Sequence, residues 1–304
     1  MSLRAPEPAS QISNERIGLQ AGSLALLAAL LWGGNTVFIK LGLEGVPPLA
    51  MAGIRFVIGA LVVWIAARCT HIPIRLQAIE RRGVVGLAAV FVLQIFLLNQ
   101  GTHFTTASRS TVLICTFPFF TALFAHFFIP GDRLSLEKTV GLVLSFVGVV
   151  LIFAESLALK GHMLGDVLVL LSGVLLGLRQ VVIKRLVHDL HPYKVLFWQA
   201  LLSLPLFFGF SAIFEQDAVY TWTWSVVGSL LYQGLVVAGL CFILWVFLLQ
   251  RHSASRLGVF GFATPVCGVA LSALLLGETL SPLLLLSMVL VATGIVVVNR
   301  KQSA

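Results

Sequence analysis

The chain has 304 residues, 59% of them apolar and 11% charged, with a net charge of +8 and a mean hydropathy of +1.02. Water-soluble domains carry about 45–50% apolar and about 25% charged residues, and disordered chains combine low hydrophobicity with high net charge, so both classes are excluded. A polytopic membrane protein remains, and ten helices of about 20 residues each would fill about two thirds of the chain.

Apolar runs cover 21–42, 48–67, 83–103, 107–129, 139–155, 163–184, 192–213, 224–249, 255–276 and 281–299. They are longer than the ~9–11 alternating residues of a membrane strand, which makes them helices. The first run is too long for a signal-peptide core and no small-residue cleavage site follows it, so it reads as a retained helix. The expected fold is all-α, with ten transmembrane helices. Cys69, Cys115, Cys241 and Cys267 lie far apart without a CxxC pair and read as small apolar side chains, not as disulfides or metal ligands.

The positive charge is distributed by side. Arg4 and Arg16 precede the first run; Arg68, Arg75, Arg81 and Arg82 follow the second. Arg133 and Lys138 follow the fourth, Lys184, Arg185 and Lys194 the sixth, Arg251 and Arg256 the eighth, and Arg300 and Lys301 the tenth. The opposite side has Lys40 and Lys160 beside Glu44, Glu155, Glu215, Asp217 and Glu278. Basic residues concentrate on cytoplasmic loops, so both termini are expected in the cytoplasm, and the basic excess needs no nucleic-acid partner.

The halves repeat. Gly33, Ile39-Lys40 and Pro48 recur as Gly177, Ile183-Lys184 and Pro192; Ala107-Ser108-Arg109 and Pro118 recur as Ala254-Ser255-Arg256 and Pro265. Gly131-Asp132 and Gly148 recur as Gly277-Glu278 and Gly294, and all these offsets fall between 144 and 147 residues. Residues 21–155 and 163–300 thus form two five-helix units, and an odd helix number per unit makes the second enter the membrane inverted. Inverted repeats are the architecture of alternating-access carriers, with the site near the midplane between the halves.

On these residues the chain resembles the EamA-type drug/metabolite transporters. The shared marks are Trp32-Gly33 in a first helix that ends in Lys40, and the prolines Pro118 and Pro265 in the fourth helix of each unit. The Gly131-Asp132 and Gly277-Glu278 turns precede fifth helices centred on Gly148 and Gly294. The resemblance covers about residues 20–300 and is similar in pattern to the bacterial amino-acid exporters of the family. It implies export of small amphiphilic metabolites, amino acids (aromatic ones included) or drugs, from a bacterial inner membrane and by a monomer. Proton-coupled drug efflux and lipid or headgroup flipping are the alternatives.

Polar groups are costly inside a membrane and tend to line a cavity or an interface between helices. Trp32, Asn35, Lys40, Gln94, Asn99, Arg179, Gln180, Tyr232, Gln233 and Trp245 are the candidate substrate-binding residues, with Thr116, Gln199 and Thr264 as further intramembrane polar groups. Amides both donate and accept, so such a set can hold a zwitterion without a fixed charge, although the same amides can simply join helices. Arg179, about five residues from Lys184-Arg185 and so ~7–8 Å deep, either snorkels or binds a carboxylate. Arg55 and Arg109 read as interfacial anchors, and Lys40 as an anchor or a vestibule charge. Pro118 and Pro265 free the carbonyls of Ile114 and Gly261 and are candidate hinges.

Phe117, Phe120, Phe124 and Phe127 form a helical stripe that stacks substrate or packs; Trp222 and Trp224 read as interfacial belt residues, and Gly228, Gly234, Gly239, Gly258, Gly261 and Gly268 as packing glycines. No acid lies mid-span, and His126 is the deepest titratable alternative, so downhill efflux is favoured over proton exchange. HExxH and P-loop signatures are missing, which argues against an enzyme, and no metal or cofactor is expected.

Overall fold

The computed structural model describes residues 17–128, 136–159, 161–252, 257 and 259–298, and among these there are helices and no strands. The first span is interrupted, α1 (Leu19–Gly33) running into α2 (Asn35–Gly42). Then come α3 (Pro48–Cys69) and α4 (Arg81–Phe104), the latter entered through a 3-10 turn at Ala78–Glu80. A second interrupted span joins α5 (Ala107–Ile114) to α6 (Phe117–Phe128), followed by α7 (Leu136–Leu159), α8 (Met163–Asp189) and α9 (Pro192–Phe214). α10 (Trp224–Leu231) continues through a π-helical stretch, Tyr232–Cys241, into α11 (Phe242–Arg251). A 3-10 turn at Val259–Phe262 leads into α12 (Ala263–Leu276), and α13 (Pro282–Val298) follows.

Seven of the resulting stretches are long and apolar enough to cross a membrane: Leu19–Gly42, Pro48–Cys69, Ala78–Phe104, Ala107–Phe128, Met163–Asp189, Pro192–Phe214 and Trp224–Arg251. Thr139–Glu155, Ala263–Leu276 and Pro282–Val297 are shorter apolar helices. Large apolar side chains such as Leu61, Phe146, Phe214 and Leu274 face outwards, as hydrocarbon surroundings require. Of the sequence marks, Gly131-Asp132, Ala254-Ser255-Arg256, Gly258, and the charges Arg4, Arg16, Arg133, Lys160, Arg300 and Lys301 lie outside the described residues, as does the side chain of Lys138.

Helix ends carry unpaired backbone groups that must be satisfied. Here charged side chains from distant helices do this. Lys40 Nζ donates to the carbonyls of Thr102, His103 and Thr105 at 3.0, 3.1 and 2.6 Å and so caps the C-terminal end of α4. Lys184 Nζ does the same for α11, donating to Leu249 O at 2.7 Å and His252 O at 3.2 Å. A cation at the negative end of a helix dipole is stabilising. The carboxylate of Glu215 accepts from the amides of Leu49 and Ala50 at 2.8 and 3.0 Å, at the first turn of α3. Glu278 accepts from the amides of Ala107 and Ser108 at 2.7 and 3.0 Å, at the first turn of α5, and from Ser108 Oγ. Gly277 makes that possible, because its φ of +65° turns the chain sharply enough to present Glu278. Glu278→Ala removes charge-assisted bonds that tie α5 to the far half of the chain. It is expected to cost about 2 kcal/mol of stability, read as a lower Tm of the purified protein.

Close helix contacts fall at matching positions of the two halves. A Cβ at Gly33 would lie 2.8 Å from Cβ of Cys267 in α12, and one at Gly177 would lie 2.6 Å from Cβ of Phe120 in α6. α4 and α8 pack antiparallel, with Gly101 against Val169 and Gly165, and Gly83 against Leu186. Gly234, Gly239 and Gly268 likewise press on Ile58, Val62 and Thr111, whereas Gly228 has nothing near it and is not a packing glycine.

Candidate functional site

Both interrupted spans break beside one cavity. At the first break Gly34 separates α1 from α2, and side chains from the second half donate to carbonyls near it. Thr264 Oγ1 donates to Ala29 O at 3.0 Å and Tyr232 OH donates to Leu31 O at 2.6 Å. At the second break Cys115 and Thr116 part α5 from α6 ahead of Pro118, and Thr116 Oγ1 donates to Leu113 O at 2.7 Å. Ile114 and Gly261, whose carbonyls the prolines Pro118 and Pro265 free, both line the cavity. Non-helical backbone at membrane depth is tolerated in such a setting.

The cavity spans about 940 Å³ when the open space at its mouth is included. Its apolar wall contains Trp32, Trp245 and Phe242; the two indoles meet edge-on at 5.1 Å, and Phe242 lies 6.2 Å from Trp32. Its polar wall contains Asn35, Arg55, Gln94, Arg179 and Gln180, and Thr36 and Thr111 hydrogen-bond one another there through their hydroxyls. Among the described residues, four buried polar atoms on this lining have no protein hydrogen-bond partner: Asn35 Oδ1, Arg55 Nε, Gln180 Oε1 and Trp245 Nε1. Buried polar groups are nearly always paired, so their concentration around one space makes this cavity the candidate site.

Of the polar side chains on this wall, Arg179 is held by several neighbours. It is 5% exposed, and Nε donates to Gln199 Oε1 at 3.1 Å while Nη1 donates to Gln94 Oε1 at 3.4 Å. Gln94 is itself fixed by Ser172, to whose Oγ its Nε2 donates at 3.0 Å. The guanidinium lies over the rings of Phe91 and Phe242, at 4.5 and 5.0 Å. It therefore does not snorkel. Arg179 lies deeper than its five-residue distance from Lys184 implies, because Lys184 is itself buried, capping α11, and α8 runs on to Asp189. Ten residues separate Arg179 from that end, about 15 Å.

Arg55 and Arg109 are not interfacial anchors. Arg55 is 1% exposed and lines the cavity, with Nη1 donating to Gln233 Oε1 at 3.3 Å. Arg109 is 3% exposed and ion-paired at 2.6 Å with both Glu155 and Asp166. It also donates to Ile152 O at 2.6 Å, and Thr105 Oγ1 donates to Asp166 Oδ1. Its partners lie 46 and 57 residues away, where no local pattern points to them.

Trp32, Asn35, Gln94, Arg179, Gln180 and Trp245 thus come together on the lining, and Lys40, Asn99, Tyr232 and Gln233 do not line it. Lys40 caps α4. Asn99 Nδ2 donates to Pro48 O at 3.0 Å. Tyr232 stacks on Phe38 at 3.9 Å, and Gln233 Nε2 donates to Phe38 O at 2.9 Å, so both stand one layer behind, Gln233 holding Arg55. Of the phenylalanine stripe only Phe117 reaches the cavity; Phe120 packs on Gly177 and Phe127 faces outwards. Trp222 and Trp224 are exposed. Among the described residues no group of three His, Cys, Asp or Glu could hold a metal ion.

Apolar helices long enough to cross a membrane, enclosing a chamber whose largely apolar wall carries a few polar side chains, fit a multi-pass membrane protein of the transporter class. The chain belongs to the EamA-like transporter family, whose model matches twice, at residues 20–154 and 163–300. It is 30% identical over 286 residues to a protein of Escherichia coli K12 named "probable amino-acid metabolite efflux pump", covering 90% of this chain and 93% of the relative. It is 26% identical over 269 residues to the uncharacterized transporter YoaV of Bacillus subtilis 168, covering 88% and 92%. A solved crystal structure shares the fold with a TM-score of 0.69 at 20% identity, covering 91% of this chain and 96% of that one.

Proposed function

We propose that the chain is a ten-span carrier that exports a small amphiphilic metabolite of the amino-acid type by alternating access. Its two five-helix repeats cross the membrane in opposite senses. The lysine caps support the inversion: Lys40 and Lys184 hold equivalent places in the repeats and serve equivalent helices at opposite ends of the bundle. The antiparallel pairing of α4 with α8 and the exchanged contacts of Gly33 and Gly177 agree with it. Arg68, Arg75, Arg81, Arg185 and Arg251 gather at the Lys184 end, which supports a cytoplasmic placement of that end and of both termini in a bacterial inner membrane.

The observation that carries the reading is Arg179, buried on the cavity wall and steadied by two amides. Arginine stays charged in proteins, and its planar fork suits a carboxylate. The orphan oxygens of Asn35 and Gln180 are acceptors for an ammonium, and Trp32, Phe242 and Trp245 receive the apolar part. The Escherichia coli relative is named for amino-acid metabolites, which is the same chemistry. Among the described residues no carboxylate lies on the lining, which favours downhill or exchange movement over proton coupling, and a cavity formed within one chain favours a working monomer.

Purified protein in liposomes, offered a panel of amino acids, their derivatives and drugs with and without an imposed pH gradient, tests this. Movement of an amino-acid-type solute at a rate independent of the gradient is expected. Movement of none, or lipid scrambling in the same vesicles instead, overturns the proposal.

A further inference from the structure

Among the described residues the cavity wall holds two cations and no anion. Arg55 and Arg179 both line it, and their hydrogen bonds go to amide oxygens, of Gln233 for the first and of Gln94 and Gln199 for the second. Neither has a carboxylate partner among the described residues, whose buried arginine ion pairs are those of Arg109. The two guanidiniums share one aromatic bed. Arg55 lies 4.5 Å over Phe56, Arg179 lies 4.5 Å over Phe91, and those two rings meet edge-to-face at 4.6 Å. Arg55 is the more exposed to penalty, since Nε is buried with no hydrogen-bond partner among the described residues.

A buried cation without a counter-charge is costly, and arginine cannot escape the cost by losing its proton. One carboxylate neutralises one guanidinium. A neutral zwitterion leaves the other uncompensated and brings an ammonium into a site already carrying two positive charges. Two acid groups balance the pair, and any ammonium still finds Asn35 Oδ1 and Gln180 Oε1. We infer that the site selects metabolites bearing two anionic groups, one for each of Arg55 and Arg179. Arg55 is then the residue that distinguishes an acidic solute from its neutral isostere. This rests on the carrier reading of the cavity and narrows its substrate class.

Matched acid–amide pairs test it. Wild-type protein in liposomes is offered labelled glutamate against glutamine and aspartate against asparagine, alongside the wider panel. The acid is expected to move faster than its amide by on the order of 30-fold, the loss typical of leaving one buried charge unpaired. Arg55→Gln brings that ratio to about one, and Arg55→Lys, which keeps the charge, restores part of it. The melting temperature of the substrate-free variant gives an independent reading. Removing an uncompensated buried charge raises it, whereas removing a merely structural tie to Gln233 lowers it. Equal rates for acid and amide in both pairs, or a ratio unaltered in Arg55→Gln, overturns the inference. If panel solutes still move in that case, the carrier reading stands; if nothing moves, both fall.

Discussion

Replacing Arg179 with glutamine is expected to reduce transport at least about 30-fold while leaving the protein inserted and folded, because truncating one partner of a buried charge pair costs about 2–5 kcal/mol. The asymmetry between function and stability follows from its surroundings. In the empty carrier Arg179 bonds only to the neutral amides Gln94 and Gln199. A glutamine at the position removes a buried charge and can bond to the same amides, so Tm should hold or rise. Substrate loses its charged fork. Arg179→Lys should recover little, since a point charge does not reproduce two parallel N–H donors. The measurement is the initial rate of whichever solute the panel identifies, normalised to reconstituted protein. A rate within about twofold of wild type would remove Arg179 from the binding site.

Arg109→Met should do the reverse and damage the fold. Arg109 joins α5 to α7 and α8 through Glu155 and Asp166, and its removal leaves two buried carboxylates without the guanidinium that neutralises them. Breaking a buried pair in this way costs about 3–5 kcal/mol. The expected reading is a Tm lower by about 10 °C and poor recovery from the membrane. Asp166→Asn is milder, because the amide oxygen can still accept from Arg109 in place of Oδ2 while the amide N–H in place of Oδ1 donates to the Thr105 hydroxyl. A Tm for Arg109→Met within a degree or two of wild type would mean that the ion cluster holds nothing together.

The repeat was readable from residues because the structural devices it encodes are local: a glycine where helices touch, a lysine one turn from a helix end, a proline at a break. Gly33, Gly177, Lys40, Lys184, Pro118 and Pro265 all stand at such places. Six of the ten candidate site residues also converge on the cavity, since polar side chains in apolar spans have few other places to go. What one strand of sequence hides is depth and partnership. Lys184 looked like a boundary marker, yet it is buried among carbonyls, and that misplaced Arg179. Arg109 sits two residues into its helix, which suggested the interface, whereas its carboxylates arrive from α7 and α8. Arg55 carries no signal that separates an anchor from a cavity wall, because that depends on which helices surround α3.

The wide-turn stretch at Tyr232–Cys241 sets the azimuth of everything after it. Each residue of an ordinary helix advances about 100° around the axis, so deleting one residue from that stretch would swing α11 by roughly that angle. Phe242 and Trp245 would rotate off the chamber, and the carbonyls of Leu249 and His252 would leave the reach of Lys184. Spacing along this one helix is therefore as much a determinant of the chamber's shape as the identity of any side chain in it.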